Sequence, residues 1–251
     1  MSQGHTIPLL HLSRLLRRRS ATVTIFTTAG NSPLIRASLH DTDVTILELP
    51  FPQNIENVPP GVENTQHLPS MFSFLPFVKS TILMQESFEK SLETLNPPVS
   101  CIISDGFLGW TLVSANKLRV PRFVFFGMGN FSSTMHQVLG REKPHANTVS
   151  LDEPFLMPGF PGRELTRNDF EPPYNEIEPS GPYVEVHGGT AHRHGDEPRR
   201  DRQQLLRAGK TLRGLLERED RPEGFLRGPA LHGGETPRGR FGKAEVCEVF
   251  G

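Results

Sequence analysis

The sequence predicts an α/β fold in which a parallel sheet carries helices on both faces. Two observations predict it. Short runs rich in Val, Ile, Thr and Phe, bounded by turn residues, alternate with longer segments of helical character, the pattern of successive β–α units. Those runs are also apolar enough to be covered on both sides, as strands of a parallel sheet are. A third observation limits the fold to residues 1–185. Beyond Glu185, over 186–251, there is no Ser, Asn, Ile, Met, Tyr or Trp, yet eleven of the chain's 21 arginines and twelve of its 23 glycines fall there. So little apolar surface cannot support a core, and an irregular or disordered tail is expected.

The elements follow in order. Gly4-His5 stands directly before the leucine-striped segment Ile7–Arg18, which reads as a helix with His11 as a structural residue on it. In an α/β protein such a pair belongs on the loop that leaves a strand and enters a helix, where backbone amides and an imidazole face the ligand crevice. Thr22–Thr27, Val44–Leu49, Val99–Ser104 and Arg122–Phe126 read as strands, and Ser32–Leu39, Met71–Leu95, Gly106–Lys117 and Met128–Leu139 as helices. Asn54 to Pro69, with Pro59-Pro60-Gly61, is a long exposed connection, and Pro154 to Pro182 is a second Pro-rich surface run. Phe72, Phe74, Phe125 and Phe126 are expected to line the core, and Trp110 to serve as core or pocket wall.

Whole-chain properties exclude several functions. A net charge of −1 over 251 residues gives no electrostatic case for nucleic acid or membrane partners. Cys101 and Cys247 are the only cysteines, so no disulfide framework is expected and a reducing, cytoplasmic setting is the plain reading. Arg17-Arg18-Arg19 follows the first apolar run instead of preceding it, unlike a signal peptide. In the tail, Gly209-Lys210-Thr211 fails as a phosphate loop because Gln204 stands where its first glycine is required. His187, His192 and His194 lack Cys or carboxylate neighbours at metal-site spacing, and no metal site is expected. Arg238-Gly-Arg240 lies among acidic residues and has almost no aromatic partners for stacking, which argues against RNA binding.

Several segments, in this order, resemble the acceptor-binding half of a plant family 1 UDP-dependent glycosyltransferase. They are Ser2-Gln-Gly-His-Thr-Ile-Pro-Leu-Leu-His11, Leu49-Pro-Phe-Pro-Gln-Asn-Ile55, Pro59-Pro-Gly-Val-Glu-Asn64, Leu68-Pro-Ser-Met71, Ser104-Asp-Gly-Phe-Leu-Gly-Trp-Thr111 and Thr166-Arg-Asn-Asp-Phe-Glu-Pro-Pro173. The resemblance implies the N-terminal half of a GT-B fold, which has two facing Rossmann-like domains, one for the acceptor and one for the UDP-sugar. It implies His5 as the general base that takes the acceptor's proton, and Asp105 as the carboxylate that orients and supports that imidazole. An imidazole titrates ordinarily near neutrality, which suits base work. In a sheet of order 3-2-1-4-5, the loops after strands 1 and 4 flank the switch point, so residues a hundred positions apart would converge there. Gly4, Phe72, Trp110 and Phe126 are the expected acceptor-binding residues. The resemblance further implies an inverting hexosyl transfer to a small hydroxylated acceptor such as a flavonoid, with UDP-sugar, favouring glucose, as co-substrate. It needs no cofactor and no metal, and a monomer is expected.

The chain departs from that family pattern in three ways. The sequence starts inside the first motif, so the sheet's first and central strand is missing and an open centre is expected. The family's donor-side His-Cys-Gly-Trp-Asn-Ser run is absent, since no tryptophan follows Trp110. Finally, Gln203 to Asp220 and Arg221 to Gly234 can each be encoded so that a neighbouring reading frame resembles the family's approach to its interdomain linker. One extra nucleotide after the Glu185 codon would connect the two frames. The tail is therefore read as out-of-frame translation and the fragment as inactive on its own, with a non-catalytic acceptor-binding half-domain, or a functionless product of a truncated or mispredicted gene, as the alternatives.

Overall fold

The structure, a computed structural model, describes residues 2–181, 183–184 and 245–249. Helices α1 (Gln3–Arg18), α2 (Ser32–Ser38), α3 (Phe74–Ser80), α4 (Gln85–Glu93), α5 (Trp110–Leu118) and α6 (Asn130–Glu142) are interleaved with strands. The strands are β1 (Thr22–Thr28), β2 (Thr45–Leu49), β3 (Ile102–Asp105), β4 (Arg122–Phe125), β5 (Phe155–Leu156), β6 (Glu164–Leu165) and β7 (Glu245–Val249). Five of them form one parallel sheet of order β2-β1-β7-β3-β4, while β5 and β6 make a small antiparallel pair.

The centre of the sheet is where the structure departs most from expectation. The expected gap between β1 and β3 is closed by β7, from the far end of the chain. Thr22↔Glu245 to Phe26↔Val249 pair on one side, and Ile102↔Cys247 to Ser104↔Val249 on the other. Two facing inner edges present unpaired N–H and C=O groups, and a five-residue run with β-branched Val246 and Val249 supplies partners for both. These five tail residues are thus a strand where irregular structure was expected. Residues 186–244, with the histidine cluster, the Gly209-Lys210-Thr211 run and Arg238-Gly-Arg240, lie outside the described residues.

Alternate strand residues feed two cores, one on each face. Leu9, Leu10 and Leu16 of α1 pack with Val23, Ile25, Ile35, Leu39, Cys101 and Ile103. On the opposite face Phe26 and Ile102 join Phe77, Phe88, Leu92 and Trp110 from α3 to α5, and Leu108 from the turn before α5. A satellite cluster of Met135, Leu139, Phe155, Met157 and Phe170 fixes α6 against the β5–β6 hairpin.

Three helices differ from their expected bounds for local reasons. Helix α1 begins at Gln3, so His5 sits within its first turn and not in a loop ahead of it. Pro8 inside α1 removes a single backbone bond, which the buried leucine stripe outweighs. The long Met71–Leu95 candidate breaks into α3 and α4, with 3₁₀ turns at Met71–Ser73 and Thr81–Met84. Pro76 cannot donate a backbone bond, and the hydroxyls of Ser80 and Thr81 take the Phe77 and Val78 carbonyls at 2.7 Å each. Helix α5 begins only at Trp110 because Phe107 N donates to Asp105 Oδ1 at 2.8 Å, which holds residues 105–108 in a turn. Among the described residues no helix is long and apolar enough to cross a membrane.

Candidate active site

Asp105 is the last residue of β3 and is 1 % exposed. A buried carboxylate must have partners, and each oxygen has one. Oδ1 accepts from Phe107 N at 2.8 Å, and Oδ2 meets His5 Nδ1 at 2.5 Å. Beneath the turn lies Arg122, the first residue of β4 and also buried. Its Nε donates to Ser104 Oγ at 2.7 Å, and its Nη2 donates to the Asp105 and Leu108 carbonyls at 3.1 and 3.2 Å. Ser104 Oγ lies 2.8 Å from Thr111 Oγ1, which donates to Leu108 O at 2.6 Å. Since the Thr111 proton goes to Leu108, the Ser104 hydroxyl donates to Thr111, and its lone pair receives Arg122. Burial pulls the Arg122 guanidinium down to about 10, with the Asp105 charge acting in the opposite direction. It is therefore cationic at neutral pH.

His5 reaches the same point from α1. The sheet face under α1 and the Leu9 and Leu10 contacts set the helix position, while Ser2, its N-cap, makes no side-chain capping bond. The imidazole lies between Phe107, stacked at 5.8 Å between centroids, and Phe125, edge-on at 5.9 Å. Its Nε2 faces the backbone at Gly127, where an added Cβ would overlap the ring. With Nδ1–H given to Asp105, the neutral ring presents the Nε2 lone pair beside that turn. The side chain is 18 % exposed, so solvent or a ligand can reach it.

Of the other expected site residues, Phe126 and Gly4 lie beside the pair, while Trp110 and Phe72 are placed differently. Trp110 belongs to the core, 7 % exposed, with its indole N–H donating to Thr81 Oγ1 at 3.1 Å, which is the core alternative of the expected reading. Phe72 is 88 % exposed and does not line the core as expected, whereas half-buried Phe74 and Phe125 pack against the two cores as expected and Phe126 is half-buried. Phe126 packs its ring over Gly106 beside the Asp105 turn, and Gly4 is exposed one residue ahead of His5. Three residues near the pair escaped sequence reasoning: Phe107, Gly127 and Arg122. The signal for Arg122 was present, since a cation inside Pro-Arg-Phe-Val-Phe-Phe, in a strand predicted to be buried, requires partners. Among the described residues no cluster of three or more His, Cys, Asp or Glu is placed to hold a metal ion.

No protein-family model matches the chain. UDP-glycosyltransferase 90A1 of Arabidopsis thaliana is 43 % identical over 198 residues, covering 74 % of this chain and 40 % of that protein. The chain thus spans well under half the length of that curated relative. Among solved structures, the Glycyrrhiza uralensis UGT73P12 complex with glycyrrhetinic acid 3-O-monoglucuronide superposes with a TM-score of 0.60 at 22 % identity. It covers 85 % of this chain and 45 % of that one. Arabidopsis thaliana UGT89C1 complexed with quercetin gives 0.50 at 25 % identity, covering 54 % of this chain and 35 % of that one.

Proposed function

This chain belongs to the plant UDP-glycosyltransferase family, and from that membership we propose that residues 1–185 form the acceptor side of a sugar transfer. The observation that carries the proposal is the 2.5 Å contact between His5 Nδ1 and Asp105 Oδ2 at the C-terminal end of β3. Asp105 fixes the tautomer, so Nε2 is the atom that accepts the proton of an acceptor hydroxyl. The oxygen forms its bond to the anomeric carbon from the face opposite the leaving group, and UDP departs with the electron pair of the broken C–O bond. The imidazolium left behind is balanced by the Asp105 carboxylate. This inverting displacement uses no metal, no cofactor and no covalent enzyme intermediate.

Phe107 and Phe125 flank the base, and Phe74 meets Phe107 edge-on at 5.2 Å, an apolar wall suited to a flat phenolic acceptor. The quercetin bound by UGT89C1 supports a flavonoid-like acceptor, and glucose is the donor sugar we favour. We further propose that residues 186–251 are out-of-frame translation and that the chain is a cytoplasmic monomer without nucleic acid or membrane partners. On this reading the 251 residues bind acceptor but do not turn over alone. The family's donor-side tryptophan run is not among them, and holding donor and acceptor together is worth about 7–11 kcal/mol in favourable cases.

The test is thermal denaturation of the chain with and without a quercetin-like phenol, alongside UDP release from UDP-glucose. We expect acceptor-induced stabilisation that His5→Ala weakens, without UDP release. Absence of any stabilisation would show that these residues do not form an acceptor site.

A further inference from the structure

The His5–Asp105 contact is made by a turn that has a cation built into its underside. Ser104, Asp105, Leu108, Thr111 and Arg122 are all buried; the Thr111 hydroxyl also bridges Ser104 and Leu108, but the guanidinium is the charged group that holds both ends of the turn and the Asp105 carbonyl as well. Removing a charge from water costs several kcal/mol before its partners are counted. A fold that needed only a filled volume here would be served at lower cost by an apolar side chain. What the planar fork adds is geometry: Nε and Nη2 bind the strand end and the turn in fixed relative orientation.

We propose that Arg122 is the positioning residue of the pair. It clamps residues 104–108 so that Asp105 Oδ2 is aimed at His5, and it supplies a fixed positive charge behind a carboxylate facing the imidazole. Arg122 touches neither acceptor nor donor and acts only through Asp105. The proposal rests on the acceptor-side reading for its catalytic meaning, but the clamp itself can be tested without turnover.

The experiment uses the full 251-residue chain with labelled histidine, read by the NMR resonance of the His5 Nδ1 proton, identified by its loss in His5→Ala. Arg122→Gln removes charge and fork, Arg122→Lys keeps the charge with a single point of attachment, and Ser104→Ala removes one acceptor of the fork. The expected result is loss of the Nδ1 signal in Arg122→Gln and its partial recovery in Arg122→Lys. The Phe26–Phe88 core signals should stay in place throughout. A filler with no positioning role would lower the melting temperature and leave the His5 signal unmoved, and that result in a folded Arg122→Gln overturns the proposal. If Arg122→Gln does not fold, Arg122→Lys and Ser104→Ala decide, since an unchanged His5 signal in both overturns it equally. Failure of acceptor binding alone would count against the proposed function and leave the clamp standing.

Discussion

Asp105 and His5 arrive at their contact from supports of opposite character. The Asp105 side is held by covalent continuity and buried polar bonds. β3 and β4 are hydrogen-bonded neighbours, Gly106 N donates to Phe125 O at 2.8 Å, and Arg122 fastens the turn from below. The His5 side rests on the first turn of α1, without a side-chain cap, and is positioned by apolar packing on the sheet. Between the two lies β7, because β1 and β3 share no ladder of their own. One partner is fixed by local polar bonds and the other by apolar packing that spans the sheet centre. Disturbances of the sheet centre should therefore move His5 relative to Asp105 before they move Asp105 relative to Arg122.

The largest effect expected from this difference comes from breaking the centre strand. Cys247 pairs with Thr24 on one side and Ile102 on the other. Proline cannot supply a ladder hydrogen bond in a central strand, and Cys247→Pro should cost at least about 1–3 kcal/mol, the penalty of a buried acceptor left unsatisfied. Urea unfolding measures it. An unchanged midpoint would show that β7 does not join the two halves.

Gly127 sharpens the comparison from the other direction, because a Cβ there collides with the His5 ring and leaves the Asp105 turn untouched. In a version read on in the neighbouring frame after Glu185, with a strand supplied ahead of Met1 in place of β7, Gly127→Ala should lower UDP release about 100-fold, the cost of a misplaced reacting group. The melting temperature should change little. A wild-type rate would place the acceptor hydroxyl elsewhere.

How much of this was legible in the sequence follows the same division. The strands, the two-sided cover and the convergence of His5 and Asp105 could be read because β-branched runs and segment matches are local signals. The β7 insertion could not, since Glu245–Val249 has nothing in its own residues that names β1 and β3 as partners. Pairing across more than a hundred residues is decided by which edges remain open. Trp110 stayed open between core and pocket wall for a related reason: an indole reads alike as either until its Thr81 partner is known. Arg122 was read only as a strand residue, although its charge in an apolar run was the better signal.

The smallest expected effect lies at the far end of α1. Arg14 grips Asp41 with two bonds, at 2.6 and 2.9 Å, and this hydrogen bonding holds the Asp41 carboxyl down at about 2. A carboxylate depressed on folding contributes stability above its ordinary range, and loses it as pH falls from about 4 through about 2. The pair is exposed, and such pairs contribute little. Asp41→Asn should leave the melting temperature at pH 7 nearly unchanged and slightly flatten its decline in acid. A large loss at pH 7 would mean that α1 is anchored at this end instead of by its leucines.

The central claim is that His5, held by Asp105, is the base of an acceptor half that does not transfer sugar alone. UDP release from UDP-glucose with a quercetin-like acceptor should be measured for the 251-residue chain, for the frame-restored version and for that version carrying His5→Ala. The account predicts release from the restored, His5-containing protein only, with His5→Ala lowering it by about 100-fold or more. Turnover by the 251-residue chain, or full activity in His5→Ala, would contradict it.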